Sequence, residues 1–187
     1  MHEKNFMHRD LKPANILMNV NQDGNPHVVI ADYGLSTNTT YATRRLTPNQ
    51  VTVLYRAPEI LFDMEKYVCN TDIWSVGVII AGSTSLILEM YRGGRHLFYS
   101  DTEQGLINEI FLKLGVPSEN DALFFNSTFD FTAYETVTID SIDTYVEMAC
   151  TEGANLLSLM LKYTAEQRIT STAALKHPYF SSPTNEE

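Results

Sequence analysis

The stretch from His8 to Asn15, HRDLKPAN, decides how the rest of the chain is read. It places a carboxylate, an ammonium and a carboxamide at Asp10, Lys12 and Asn15 within one short segment. Transfer of a γ-phosphoryl group asks little covalent chemistry of a protein. It needs a carboxylate to orient the attacking hydroxyl, a cation against the phosphate, and oxygen ligands for Mg²⁺. Asp10, Lys12 and Asn15, with Asp32 further along, match those needs. In this reading Asp10 accepts the hydroxyl proton, Lys12 lies against the transferring phosphate, and Asn15 and Asp32 hold the metal from two sides. Hard oxygens suit Mg²⁺, which keeps several waters and takes its other ligands from nucleotide phosphates. Each residue alone has a plainer explanation, since Asp-Leu-Lys is commonly a solvated surface pair and Asn a turn residue. The conjunction carries the chemistry.

Composition narrows what surrounds that loop. A chain of 187 residues is long enough for one substantial core, and length alone suggests one domain. Its 44% hydrophobic and 19% charged fractions exclude the disordered and fibrous classes. With 13 Lys+Arg against 23 Asp+Glu, the net charge of -10 repels a nucleic-acid backbone or an anionic membrane, and no basic patch offsets it. Neither is expected as a partner. Cys69 and Cys150 give no disulfide framework, so a reducing setting, cytoplasm or nucleus, is expected. The start, MHEKNFMHRD, is polar and carries no apolar leader core. The uncharged run from Ile73 to Leu88 is interrupted by Ser75, Ser83, Thr84 and Ser85. It falls short of the roughly 20 mostly apolar residues of a bilayer span and predicts a helix buried in protein.

Strand-like segments come first and helices afterwards. Ile16 to Val20 and His27 to Ala31 are short and β-branched, and NQDGNP between them holds strong turn formers, which predicts a hairpin. Residues 35 to 53 are rich in Thr, Asn and Arg and predict a long loop, a length that is usually functional. From Asn70 or Thr71, either of which can cap, Ile73, Trp74, Val76, Gly77, Ile79 and Ile80 predict a helix apolar nearly all round, central to the domain. Thr102 to Leu114 carries Leu106, Ile107, Ile110, Phe111 and Leu114 at helical spacing and stops at Gly115 and Pro117. Residues 152 to 163 predict another apolar helix, and Ser171 to His177 a short last one ended by Pro178. The expected fold is mainly α (α+β), a helical bundle with short β-hairpins at the HRDLKPAN loop. Residues 1 to 180 form the domain and 181 to 187 a tail.

HRDLKPAN closely resembles the catalytic loop of eukaryotic Ser/Thr protein kinases, and ADYG, Ala31 to Gly34, resembles their metal-binding Asp-Phe-Gly element. RAPE, Arg56 to Glu59, is similar to the end of their activation segment. Asp72 in TDIWSVG is similar to the buried aspartate of their central helix, and Arg168 in QRIT to the arginine that pairs with the glutamate of Ala-Pro-Glu. The elements keep the family's order over nearly the whole chain. The resemblance implies ATP and Mg²⁺ as cofactors, a protein substrate, and the C-terminal lobe of the kinase fold. It also implies that Leu17 floors an adenine pocket, that Glu59 and Arg168 form a structural ion pair, and that Asp72 accepts backbone N–H groups from the catalytic loop.

Within that family, VTVLYRAPEIL, the stretch Gly93 to Pro117 and the stretch Leu156 to Phe180 resemble the cyclin-dependent kinases and their relatives. This closer resemblance implies proline-directed transfer, with Arg56 shaping the preference for proline after the target residue, and a cyclin-like regulatory subunit as a partner. It places Thr47 where an activating phosphothreonine falls and Thr52 where a threonine contacts the catalytic loop. A phosphate at Thr47 orders its loop only if cations meet it, and Arg9 is the expected one. The family's second arginine position is Thr37 here, with Arg44 and Arg45 as candidate substitutes.

Other departures set further expectations. Tyr33 replaces the usual Phe, and its hydroxyl needs a partner where the ring packs against His8. GSTSLILE is extra relative to the group, and either lengthens the central helix or bulges out. His27, His96 and His177 have no metal-ligand spacing. No Gly-x-Gly-x-x-Gly occurs in the 187 residues, and the β-rich lobe that normally covers the nucleotide is expected to be missing from them. The chain alone is then expected to have little or no kinase activity, and an apolar surface is expected to be left uncovered. Two classes of function stay open: the C-terminal lobe of an active kinase, or a non-catalytic module displaying a substrate- or cyclin-docking surface. A metal-dependent hydrolase using the same carboxylates has no separate support.

Overall fold

Two short antiparallel ladders frame the HRDLKPAN loop, and helices follow them. The computed structural model describes residues 1–40, 53–62, 68–92, 97–122, 131, 134 and 151–181. Strand β1 (Phe6–Met7) pairs with β4 (Thr37–Asn38), Phe6 facing Asn38 and Met7 facing Thr37. Strands β2 (Ile16–Val20) and β3 (Pro26–Ile30) form the expected hairpin, in register from Ile16 opposite Ile30 to Val20 opposite Pro26. Its turn is closed by Asn21, whose Oδ1 accepts from the N–H of Asp23 and of Asn25 at 3.1 and 2.8 Å, and by Gly24 at φ 81°. The second strand starts and ends one residue earlier than predicted. Pro26 serves as its first residue, a position where a missing N–H is tolerated. Ala31 leaves the ladder and donates its N–H to Asn15 O at 2.8 Å.

The expected long loop after residue 35 is partly regular. A 3-10 turn at Tyr33–Leu35 leads into β4. Residues 41–52, with Arg44, Arg45, Thr47 and Thr52, lie outside the described residues.

The helices are α1 (Pro58–Leu61), α2 (Thr71–Arg92), α3 (Glu103–Leu114), α4 (Glu119–Ala122), α5 (Thr151–Met160), α6 (Ser171–Ala174) and α7 (Pro178–Ser181). Helix α2 runs on through GSTSLILE, so the extra piece lengthens the helix rather than bulging from it. Thr102 caps α3 by accepting from Gly105 N–H at 3.1 Å, and Gly115, at φ 81°, ends it. The helix predicted over 152 to 163 stops at Met160. The Leu159 carbonyl, which would accept from Tyr163 N–H in a continued helix, accepts instead from Ile169 N–H at 3.0 Å, and Arg168 Nε and Nη2 take the carbonyls of Lys162 and Tyr163 at 2.8 and 2.9 Å. The last predicted helix divides in two, because Pro178 opens a new turn, and its preset φ suits a first helical position.

The core forms where α2 meets its neighbours. Trp74 stacks on Phe98 at 6.1 Å, and Phe111 of α3 meets Tyr134 edge-on at 4.8 Å, with Leu106, Ile110 and Val78 around them. A second cluster joins Ile73 of α2 to Leu156 and Met160 of α5 and to Ala174. Helix α2 is thus the central element that its apolar sequence predicted, and the loop bearing Asp10 hangs on its first turn. The fold is mainly helical with a few short strands.

Candidate active site

Asp72, on the first turn of α2 and 2% exposed, is the anchor. Its Oδ2 accepts from the backbone N–H of His8 at 2.8 Å and its Oδ1 from that of Arg9 at 2.9 Å. A buried carboxylate is tolerable only when its oxygens meet donors, and this one draws them from the loop it fixes. Arg9 sits at φ 72°, a left-handed conformation that costs a non-glycine residue on the order of 1 kcal/mol and persists only under such restraint. Its Nη1 donates to Leu35 O at 3.2 Å, tying the loop to the segment after Asp32.

His8 bridges the two carboxylates of interest. Its Nε2 donates to Ala31 O at 2.9 Å and its Nδ1 accepts from Asp10 N–H at 3.3 Å. Asp32 follows Ala31 directly, so the imidazole spaces Asp10 from Asp32 within one cluster. The Tyr33 ring lies against His8 at 5.2 Å. Tyr33 is nevertheless 52% exposed, so the buried partner expected for its hydroxyl is not needed and solvent serves.

Asp10 Oδ2 receives Lys12 Nζ at 2.8 Å and Asn15 Nδ2 at 3.1 Å, and the same Nδ2 donates to Asp10 O at 2.8 Å. One oxygen of Asp10 is thus held by two donors, while Oδ1 has no partner among the described residues. Asn15 is buried, and with its nitrogen committed to Asp10 its Oδ1 is left without a donor among the described residues. Asp32 sits at φ 62° and accepts only a long bond from Gly34 N–H at 3.4 Å. Asn15 and Asp32 therefore offer hard oxygens with little protein competition at adjoining points, joined by the Ala31 to Asn15 backbone bond. That donor set fits Mg²⁺, which takes one or two protein oxygens and completes its shell from water and phosphate. Among the described residues no group of three or more His, Cys, Asp or Glu gathers to form a protein-only metal cage.

Leu17 projects from β2 and is 54% exposed, beside Met18 at 76%. Arg56 pairs with Glu103 at the start of α3, so its guanidinium is tethered to that helix. Glu59 and Arg168 form a bidentate pair, Nη1 to Oε1 at 2.7 Å and Nη2 to Oε2 at 2.6 Å, with both side chains sealed from solvent. Thr47 and Thr52 lie outside the described residues.

Two participants escaped the sequence reading. His2 Nε2 reaches Asp72 Oδ2 at 2.8 Å, and Glu103 is the partner of Arg56. Neither is in a periodic pattern; the nearest sequence signal for Glu103 is its place in the first turn of α3, next to the capping Thr102. No helix among the described residues is long and apolar enough to cross a membrane. A family model described as "Protein kinase domain" matches residues 1–180.

Proposed function

This chain belongs to the protein kinase family, and from that premise we propose that it is a Ser/Thr kinase of cyclin-dependent-kinase-like type, directed to serine or threonine followed by proline. As a kinase it is a transferase acting on protein substrates. The observation that carries the proposal is the divided state of Asp10: Oδ2 is held by Lys12 and Asn15, and Oδ1 is left open to a hydroxyl. Lys at position 12 and the segment VTVLYRAPEIL support the finer assignment.

In the proposed reaction Asp10 orients the substrate hydroxyl and receives its proton at Oδ1. Lys12 supplies a cation beside that carboxylate, and Asn15 and Asp32 hold Mg²⁺ with ATP. The metal's chemistry, when bound, is to offset the charge of the phosphate oxygens. Arg56 contributes to recognition of the residue after the target, and Leu17 to the floor beneath adenine. We assign residues 1–180 to the helical, substrate-binding lobe of the domain, with 181–187 as tail. The 187 residues contain no glycine-rich phosphate loop, so by themselves they hold the nucleotide from one side and turn over weakly. Work in the cytoplasm or nucleus, with a cyclin-like regulatory subunit, belongs to the same proposal, as does activation by phosphate on Thr47 met by Arg9.

One observation favours a second reading. The β2–β3 hairpin exposes Leu17, Met18, Val20, Val28 and Val29, a surface suited to docking in a non-catalytic module. A phosphate-transfer assay on protein from its native source, with the intact mass measured, separates the two. Asp10→Asn removes the general base and is expected to cost roughly 10²- to 10⁴-fold in turnover. Activity indifferent to Asp10→Asn, or no nucleotide binding at 21.2 kDa, would reject the enzymatic reading for this chain.

A further inference from the structure

Selection for serine or threonine followed by proline has a target inside the chain itself. Two of its seven prolines follow such a residue, in Thr47-Pro48 and Ser182-Pro183. Both pairs lie outside the described residues, but the segment leading to the second is described up to Ser181. Helix α7 (Pro178–Ser181) is a single turn and ends there. A residue before proline is disfavoured in the helical region and biased towards extended backbone, so a Ser-Pro pair is where such a turn stops. Extended backbone is also the form in which a peptide lies across a transfer site with the residues on both sides of its hydroxyl open to recognition. The approach is open too, since Tyr179, Phe180 and Ser181 are all exposed, Phe180 by 53%. The turn is anchored from behind: His177 Nε2 lies 2.9 Å from Asn155 Oδ1 of α5, and Phe180 N–H donates to His177 O at 3.0 Å.

We propose that a second copy of this chain is a substrate, with Ser182 as the phosphate acceptor. Ser182 stands one peptide link, about 3.8 Å, beyond Ser181. Ser181 belongs to a turn held on α5, whereas Asp10 belongs to a loop held on the first turn of α2 by Asp72. Transfer within one chain would have to unseat that turn; the loop of another copy needs only to approach its exposed end. The bond formed joins Ser182 Oγ to the γ-phosphorus of ATP. The bond broken is from that phosphorus to the β,γ-bridging oxygen, which leaves on ADP with the electron pair, and the hydroxyl proton goes to Asp10 Oδ1. Of the three hydroxyls in SSPT, Ser181 is followed by Ser182 and Thr184 by Asn185, so proline selection picks Ser182. No Lys or Arg follows Lys176 in the 187 residues, and Glu186 and Glu187 are close behind. Phosphate there adds nearly two negative charges to an anionic segment, and two copies, each at -10, are then driven apart. The inference rests on the kinase reading and names a substrate for it.

The test mixes the unlabelled chain with an Asp10→Asn chain grown in a heavy nitrogen isotope, and adds Mg²⁺, ATP and a free peptide holding one Ser-Pro pair. Cleavage after Lys176 releases residues 177 to 187 as one fragment, in which mass spectrometry reads Ser181, Ser182 and Thr184 separately. Phosphate is expected on Ser182 of the heavy chain only when the unlabelled chain is present, with Ser181 and Thr184 bare. Pro183→Ala in the heavy chain is expected to cut that signal roughly tenfold or more. Phosphate on the free peptide with none on the heavy Ser182 would overturn the proposal and leave the kinase reading standing. So would phosphate on Ser182 of the unlabelled chain alone, which is transfer within one chain. Phosphate on the heavy chain incubated by itself, or a signal indifferent to Pro183→Ala, would overturn it as well. No phosphate on either the free peptide or the chains would reject the kinase reading and this inference together.

Discussion

Arg168→Leu is the substitution whose consequence can be worked most fully from the structure. A guanidinium has five N–H groups, and here all five are used. Nη1 donates to Glu59 Oε1 and Asn70 O, Nη2 to Glu59 Oε2 and Tyr163 O, and Nε to Lys162 O, at distances from 2.6 to 3.2 Å. The guanidinium also lies 5.2 Å from the Trp74 ring centre. Leucine fills part of the volume but strands the Glu59 carboxylate, 3% exposed at its side chain, with no cation. Breaking a buried pair from one side costs about 3–5 kcal/mol, mostly for the charge left behind. At about 2–4 °C per kcal/mol for a chain of this size, the melting temperature should fall by roughly 6–20 °C. Glu59→Leu, which strands the guanidinium, should be comparably severe. The double variant leaves no buried charge and should be milder than the summed single costs by about 1–3 kcal/mol. Urea unfolding followed by circular dichroism measures all three. An Arg168→Leu cost within about 1 kcal/mol of zero, or strict additivity in the double variant, would refute the reasoning that this pair is a buried, mutually dependent unit.

Other substitutions probe separate parts of the fold. At Gly77 a Cβ would lie 3.0 Å from Leu161 Cδ2 and from Met160 Cβ, so Gly77→Ala, despite its better helix propensity, should lower the urea midpoint through about 1–2 kcal/mol of overpacking. The Tyr163 hydroxyl donates to Gly115 O, and burial, then Asp121, pushes its pKa far above the ordinary 10.0. The unfolded chain therefore loses this proton first as pH rises. The stabilisation is complete below pH 10.0 and declines above it. Tyr163→Phe should flatten that alkaline decline in a pH series of unfolding curves, at a neutral-pH cost of about 1 kcal/mol. Met18 and Val28 face each other across the hairpin and are both exposed. Met18→Lys with Val28→Glu should reduce self-association in sedimentation velocity without loss of helical signal, and a fall in stability would mean the surface is already covered.

Legibility varied with how far the physical cause lay from the residue. The hairpin was readable because its turn chemistry is local: Asn21 and Gly24 close it with their own backbone and side-chain geometry. The bounds of its second strand differ by one because Pro26 reads as a turn former while serving as the strand start. The end of α5 was not readable, since Leu161 and Tyr163 continue its apolar pattern while the Leu159 carbonyl that would have extended it is taken by Ile169 N–H from beyond the next turn. His2 was invisible for the same reason: a histidine in a polar segment has no period, and its partner lies at Asp72. By contrast Asp72, Glu59 and Arg168 stood out because each sits inside a stretch, TDIWSVG, RAPE and QRIT, that resembles a protein kinase motif, and their partners lie far off in the chain.

The hairpin also shows why a site can be legible while its surroundings are not. Ile16, Met18, Val20, Val28 and Ile30 alternate with Leu17 and Val29, so both faces of the ladder are apolar, the composition of strands covered on two sides. Yet β2 and β3 lie open over most of their length. The placing of Asp10, Asn15 and Asp32 is set by hydrogen bonds within the loop, to Ala31 and to Asp72 of α2, all inside these residues. The hairpin's composition is satisfied only by something brought against it. A β-rich lobe against these strands would at once remove the apolar surface and close the nucleotide's second side. The proposal therefore links an expectation, weak turnover of these residues alone, to an observation, a hairpin whose apolar side chains lie exposed.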